Sequence, residues 1–356
     1  MANCPRHLQV ENLHPKFYMK SQAQPHYRRV FATALLLLGA GTAPAQEKPD
    51  RPPWAQPTST GQANSPESVP PQKTQETVSP RGTIKVQVNL VNVLVSVLDE
   101  HNRPVPDLPV EAFQLFEEGA QQKIDVFEQE TKQPLDLALM IDASLSAHKE
   151  ITFEREAASH FIRQVLRPDD RMSIFSFDET VTQRTTFTDK LSVLQEAVQK
   201  IPDGAGTSIY DAILLSSQAL GKRAGDRRRV IIMVTDGGET TSRADFEAAR
   251  RSALRNEVLL YTIVIRPVKN ENGRNTAGEH ALQTITETTG GAMFFPDSGQ
   301  ELSGIFDRIN NELRTQYRLA YYPNPRGPAN TYRTIKVAVQ TGYKARHRTT
   351  YLTGMQ

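Results

Sequence analysis

The chain has 356 residues, which is enough for two domains and accessory segments. Its 42 Lys and Arg nearly balance its 40 Asp and Glu, and it has no long basic run, so nucleic acid is not expected as the main partner. The single cysteine, Cys4, precedes an apparent signal sequence. We therefore expect a mature chain without cysteine, which excludes a disulfide framework and thiolate zinc sites.

Residues 1–45 have the pattern of a secretory signal peptide. Two arginines precede an apolar run at 30–40, and an Ala-Pro-Ala sequence at 43–45 resembles a cleavage site. The run is shorter than the roughly 20 residues that a membrane-spanning helix needs, so we expect cleavage and no membrane span afterwards. We therefore expect the protein to be exported, to the periplasm or the cell exterior. A membrane anchor, a true start at Met19 and export by a twin-arginine route are the alternatives.

Two segments precede the central part of the chain. Residues 46–82 are rich in Pro, Ser, Thr and Gln and lack core-forming residues, so we expect a disordered or extended linker. From residue 83 onward apolar residues nearly alternate, which predicts a long β-strand. Shorter apolar runs at 113–116 and 124–127 predict two more strands, so that 83–133 is expected to be β-rich.

Residues 134–314 alternate strand patterns with helical patterns. Short apolar runs such as 135–141 and 230–234 are typical of strands that are buried on both faces. Apolar stripes at helical spacing lie between them. The pattern predicts an α/β fold: a doubly wound, mostly parallel sheet with helices on both faces.

Polar residues indicate where the helices of this region begin. We expect caps at Thr188, at Ser242 in a Ser-x-x-Asp box and at Ser298 in a Ser-x-x-Glu box. Thr207 is expected to open a further helix, with Leu215 directed inward.

Residues 315–356 return to β-strand patterns. Apolar residues alternate at 317–321 and at 335–339, with Pro and Gly between them. These strands are too few to fold alone. We therefore expect them to pair with 83–133 in one small β-sandwich into which the α/β region is inserted. Two separate β caps are the alternative.

Oxygen-bearing side chains come directly after the predicted strands, at their carboxyl ends. In open α/β sheets ligands bind at this edge. Asp142, Ser144 and Ser146 follow the first strand, Thr207 opens a helix, and Asp236 follows a later strand. Oxygen ligands alone favour a hard divalent cation such as Mg²⁺. As isolated residues, the Asp and Ser positions are equally typical of helix caps.

These motifs, in this order, resemble the metal-ion-dependent adhesion site of von Willebrand factor A domains. The chain looks most like a bacterial secreted subfamily with a β-rich segment on each side of the A domain, and the resemblance runs from about residue 86 to the C-terminus. The matching motifs are Asp142-x-Ser144-x-Ser146, Thr207 and Thr235-Asp236-Gly237. The family often has glycine between the two serines, where this chain has Leu145; this departure affects loop geometry and partner choice more than the ligand set.

The resemblance implies a role for each residue. Ser144, Ser146 and Thr207 would coordinate Mg²⁺, or another divalent cation such as Mn²⁺ or Ca²⁺, through their hydroxyls. Asp142 and Asp236 would act directly or through water. An open coordination position would accept the Asp or Glu carboxylate of a protein or peptide ligand.

We expect an exported binding module rather than an enzyme. An assembly scaffold with a loop-stabilising metal site is the second hypothesis, and a metal-dependent hydrolase is a remote third, because no general base is evident. Asp211 is expected either to contact the metal ligands without touching the metal or to be a first-turn carboxylate that favours the helix dipole. Glu239 is expected either behind the ligands or in solvent, and Asp178 in a turn.

Overall fold

The computed structural model describes residues 90–129, 132–144, 151–265 and 276–354. The predicted signal peptide and linker lie outside the described residues, as does Ser146. The strands are β1 (Val91–Leu98), β2 (Phe113–Glu117), β3 (Ala120–Gln122), β4 (Val126–Glu128), β5 (Leu135–Asp142), β6 (Arg171–Phe177), β7 (Val181–Gln183), β8 (Arg228–Thr235), β9 (Val258–Val264), β10 (Met293–Phe294), β11 (Tyr317–Tyr321), β12 (Tyr332–Val339), β13 (Lys344–His347) and β14 (Thr350–Leu352). The helices are α1 (Ile151–Val165), α2 (Leu191–Gln199), α3 (Ile209–Gly221), α4 (Phe246–Arg255), α5 (Thr276–Thr289) and α6 (Leu302–Arg314).

A six-stranded sheet lies at the centre, in the order β10-β9-β8-β5-β6-β7. Its neighbouring strands are parallel except for the pair β6 and β7. Every residue of β5 is buried, as expected for a strand that is covered on both faces. This arrangement confirms the predicted α/β fold class.

Helices cover both faces of this sheet because the side chains of each strand alternate between the faces. Leu137 and Leu139 of β5 pack in one core with α1, α2 and α6. Ala138 and Met140 pack in a second core with α3, α4 and α5. The carboxyl ends of the parallel strands are thereby held at a common edge.

Two further sheets combine strands from before and after the α/β region. Their orders are β13-β1-β11-β4 and β14-β12-β2-β3. In the first, β1 pairs with β11, and in the second, β2 pairs with β12. The side chains of both sheets meet in one core that includes Val93, Leu115, Leu319 and Ile335.

Two of the predicted helix caps differ from the observed ones. Thr188 forms an antiparallel bridge with Met172 through two backbone hydrogen bonds of 2.9 Å. Its hydroxyl accepts the N–H of Lys190 at 3.2 Å, but Lys190 is the residue from which α2 begins. The cap of α4 is Asp245, which has an extended backbone. Its side-chain Oδ1 accepts the N–H of Ala248 at 2.7 Å. Ser242 lies in the loop before that cap.

Two further local predictions also need correction. The helix predicted from Ser298 begins instead as a short 3-10 turn at Gly299–Glu301, and α6 follows it. Leu215 is 43% exposed, because α3 faces the sheet with a stripe that includes Ala212, Ser216 and Leu220. The serine in that stripe is buried because its hydroxyl bonds back to its own helix.

Candidate metal centre at the carboxyl edge of the central sheet

Asp142 ends the central strand β5 and is fully buried. Its Oδ1 accepts the N–H of Ser144 at 3.0 Å, and its Oδ2 accepts the hydroxyl of Thr235 at 2.6 Å. The parallel register places Ile141 beside Val234, so the next residue of each strand meets across the sheet edge. The ends of two neighbouring strands therefore fix this carboxylate.

The loop after β8 turns sharply at Gly237. This glycine has φ +83°, a conformation that side chains with a Cβ rarely adopt. Its N–H donates to the Thr235 hydroxyl at 3.1 Å, and the N–H of Gly238 donates to Oδ1 of Asp236 at 2.9 Å. The turn thus keeps Asp236 at the strand end, next to Asp142.

The loop that carries Thr207 is hydrogen-bonded to both other loops. Ser144 forms an isolated parallel bridge with Gly204, whose N–H donates to the Ala143 carbonyl at 2.7 Å. The N–H of Thr207 donates to the Thr240 hydroxyl at 2.8 Å, and the Thr207 carbonyl accepts the Thr240 N–H at 2.9 Å. The structure therefore brings Asp142, Ser144, Thr207 and Asp236 to one sheet edge, and Ser146 lies outside the described residues.

Glu239 lies against the start of α3. Its carboxylate accepts the N–H groups of Ile209 at 2.7 Å and Tyr210 at 3.2 Å, and both the N–H and the hydroxyl of Ser242 at 2.9 Å. A carboxylate at a helix N-terminus satisfies donors that have no partner within the helix. Sequence reasoning missed this role because the helix start lies thirty positions before Glu239.

Two other acidic residues near the edge also bind backbone groups. Asp211 accepts the N–H groups of Arg243 at 3.0 Å and Ala244 at 2.8 Å, and thus joins the first turn of α3 to the loop before α4. Asp178 accepts the N–H of Thr180 at 2.7 Å, which confirms its predicted turn role.

The electrostatics of the edge fit a cation. Burial, with a smaller contribution from the nearby Asp236 carboxylate, raises the pKa of Asp142 to about 6 against the lowering effect of the Thr235 and Ser144 hydrogen bonds. Neither Asp142 nor Asp236 forms an ion pair with Lys, Arg or His among the described residues. Two neighbouring carboxylates and the hydroxyl of Thr207 form a donor set suited to a hard divalent cation.

The candidate site depends on hydroxyl ligands as well as carboxylates. Over the described ranges no three His, Cys, Asp or Glu side chains gather in a way that could hold a metal. In the same ranges no helix is long and apolar enough to cross a membrane.

Residues 137–239 match the family model described as von Willebrand factor type A domain. The match runs from β5 through β8 and includes all five residues of the predicted metal motif. No curated protein matches the chain.

Three solved structures are similar to parts of this chain. An aerotolerance-related membrane protein from Bacteroides fragilis, with multiple mutations to serines, is 17% identical; the match covers 50% of this chain and 98% of that chain, with a TM-score of 0.41. A von Willebrand factor type A protein from Catenulispora acidiphila is 10% identical over 76% of each chain, with a TM-score of 0.45. Proximal thread matrix protein 1 from the mussel byssus, described with a zinc-occupied MIDAS motif, is 18% identical over 55% of this chain and 49% of that chain, with a TM-score of 0.44. The family model and the doubly wound sheet, rather than these distant likenesses, carry the assignment: the chain contains a von Willebrand factor type A domain, matched at residues 137–239.

Proposed function

We propose that the carboxyl edge of the central sheet binds a divalent cation and, through it, an acidic group of a protein ligand. The observation that carries this proposal is the pair Asp142 and Asp236. One carboxylate is fully buried beside the other, and no cationic side chain pairs with either among the described residues. A bound cation would supply the missing positive charge.

Hydroxyl and carboxylate oxygens of the three loops would hold the ion. These are the side chains of Asp142, Ser144, Thr207 and Asp236, with Ser146 assigned from the family resemblance. With few carboxylates around it, the ion keeps enough positive charge to attract a ligand carboxylate. Mg²⁺ is the proposed ion because it typically takes a few protein oxygens plus water; Mn²⁺ and Ca²⁺ are the alternatives.

The hydrogen bonds around the site favour a binding module over a metal-stabilised scaffold. Thr207 is already held through its backbone by Thr240, and Glu239 already caps α3. These contacts within the chain support the view that the Thr207 loop and the start of α3 do not depend on an ion. The acidic residues Glu239, Asp211 and Asp178 all accept backbone N–H groups, and these structural roles support a binding module over a hydrolase.

Metal binding is tested by Mn²⁺ titration of the full chain, followed by water proton relaxation. Thr207→Val removes the hydroxyl but keeps the shape of the side chain and every backbone hydrogen bond of the residue, so we expect Mn²⁺ affinity to fall about tenfold or more. Thr207→Ser retains the hydroxyl and is the matched control. Equal Mn²⁺ affinity in the Val and Ser variants would refute the proposed ligand role.

Ligand binding is tested with a short peptide that contains one aspartate. We expect the peptide to displace water from bound Mn²⁺ and so lower the relaxation enhancement, whereas the same peptide with asparagine should have no effect. Displacement by both peptides would contradict recognition through a carboxylate.

We further propose that this module is exported and acts in adhesion or assembly outside the cytoplasm. The support is the signal-like pattern at residues 1–45 together with the binding chemistry of the edge. Cell fractionation with an antibody against the α/β region tests this. Full-length chain in the cytoplasmic fraction would count against export.

A further inference from the structure

A second charged site lies at the opposite end of the central sheet. A cavity of about 90 Å³ opens at the amino ends of β8 and β9, where the α/β region meets β1 and β11. We call it the arginine cleft, after the five arginines that line it: Arg227, Arg228, Arg229, Arg318 and Arg348. Its acidic lining residues are Asp226 and Glu257.

Three of the five arginines have carboxylate partners. The pairs are Arg227 with Asp136 at 2.8 Å, Arg318 with Glu128 at 2.9 Å and Arg348 with Glu257 at 3.0 Å. Asp136 is shared, because Arg223 also binds it at 3.0 Å. Positive charge therefore remains in excess around the cleft.

Arg228 is a buried cation that binds only neutral groups among the described residues. It is 4% exposed and donates to the Leu313 carbonyl at 2.6 Å, to Oε1 of Gln316 at 3.2 Å and to the Gln133 carbonyl. Burial and the nearby Arg314 lower its pKa to about 10 against the raising effect of the Asp170 carboxylate, so it stays charged at neutral pH. A buried charge that has no carboxylate in direct contact is costly.

Two buried N–H donors of the cleft also lack partners. Arg229 donates from Nη1 to the Asn256 carbonyl at 3.2 Å, but its Nε is buried without a hydrogen bond. The Nε of Arg348 is likewise buried and without a hydrogen bond. Buried donors are rarely left in this state, because each one forfeits its hydrogen bond to water.

We propose that the arginine cleft binds a small tetrahedral oxyanion, a phosphate or sulfate group. The guanidinium group is planar and offers paired N–H donors that match such oxygens. The cavity, of about 90 Å³, has room for a group of this size. The anion would balance the excess positive charge that the arginines bring to the cleft.

The binding test uses inorganic phosphate with the full chain in EDTA, at constant ionic strength, by calorimetry. EDTA separates this site from the metal edge, so failure of one proposal leaves the other standing. Arg229→Gln removes a cation without leaving a carboxylate unpaired, and we expect phosphate affinity to fall about tenfold. Arg163→Gln, an exposed position on α1, is the matched control and should leave the affinity unchanged.

A second variant should strengthen binding. Glu257→Gln removes a lining carboxylate and frees Arg348, so phosphate should bind more tightly, a result that misfolding cannot produce. Inorganic sulfate and glycerol 3-phosphate are compared with phosphate: tighter binding of the ester identifies a phosphomonoester, and equal or tighter binding of the free ions identifies a free anion. Absence of saturable binding by all three, or equal affinities in Arg229→Gln and Arg163→Gln, would overturn the proposal.

Discussion

The hydroxyl of Thr235 is the most informative single atom to remove from the metal edge. Thr235 is 1% exposed, and its Oγ1 donates to the buried Asp142 carboxylate at 2.6 Å while accepting the N–H of Gly237 at 3.1 Å. Thr235→Val keeps the branched shape and deletes both bonds. No ion is needed for this effect, since both bonds lie within the chain.

The expected cost follows from these two bonds. A hydrogen bond to a charged group contributes about 1.5–3 kcal/mol, and a buried N–H left without an acceptor costs about 1–3 kcal/mol. The added apolar carbon of valine recovers about 0.8 kcal/mol. We therefore expect Thr235→Val to lower the free energy of unfolding by about 3 kcal/mol, which corresponds to a fall in Tm of roughly 6–12 °C.

Urea unfolding in EDTA, followed by circular dichroism, measures this change. Thr235→Ser keeps the hydroxyl and should lose much less, about 1 kcal/mol for one buried methyl group. A Val variant as stable as the Ser variant would show that the carboxylate does not depend on this hydroxyl, and the reasoning about the edge would fail.

Three further outcomes are expected. Mg²⁺ at about 100 times its Kd should stabilise the wild type by about 2.7 kcal/mol and Thr207→Val much less, measured as a difference in Tm between Mg²⁺ and EDTA. Gly237→Ala should cost about 1–3 kcal/mol in urea unfolding, because its φ is +83° and a Cβ would lie 3.2 Å from Cγ1 of Val264; Gly304→Ala, in open space on a helix, should be neutral or stabilising. Burial lowers the pKa of His347 below 6.5, so the folded state binds fewer protons than the unfolded state and stability should fall as pH drops below about 6.5. In urea unfolding at several pH values, the stability of His347→Gln should fall less steeply than that of the wild type. Parallel curves of stability against pH for the two proteins would contradict this.

The fold class could be predicted because its pattern repeats along the chain. A strand such as β5 is apolar at almost every position, and both of its faces are in fact buried. The helix starts were harder to predict, because the same residue types serve turns, sheets and caps. Thr188 resembles a cap in sequence but is bonded to a strand, and Asp245 lies three residues beyond the predicted cap Ser242.

The metal edge could be predicted only in part, because the groups that hold its residues in place lie far from them in the sequence. Asp142, Thr207 and Asp236 each stand at a local transition between a strand or loop and the next element, which a sequence pattern can show. The groups that hold them come from elsewhere: Thr235 reaches Asp142 across 93 positions. The same limit applies to the arginine cleft, whose lining comes from β8, β9, α4 and α5 and from β1 and β11 of a flanking sheet.

Removal of the hydroxyl from each of two threonines at this sheet edge is expected to have different effects, one on stability and the other on metal affinity. The hydroxyl of Thr235 is used entirely by the protein, so its loss should lower stability whether or not an ion is present. Thr207 is held by its backbone instead, and its hydroxyl has no hydrogen-bond partner among the described residues. Loss of this hydroxyl should therefore leave the stability in EDTA unchanged and lower the affinity for the ion. A ligand residue that its own backbone already holds in place loses little conformational entropy on binding. Stability in EDTA together with metal affinity therefore separates the residues that build the edge from those that use it.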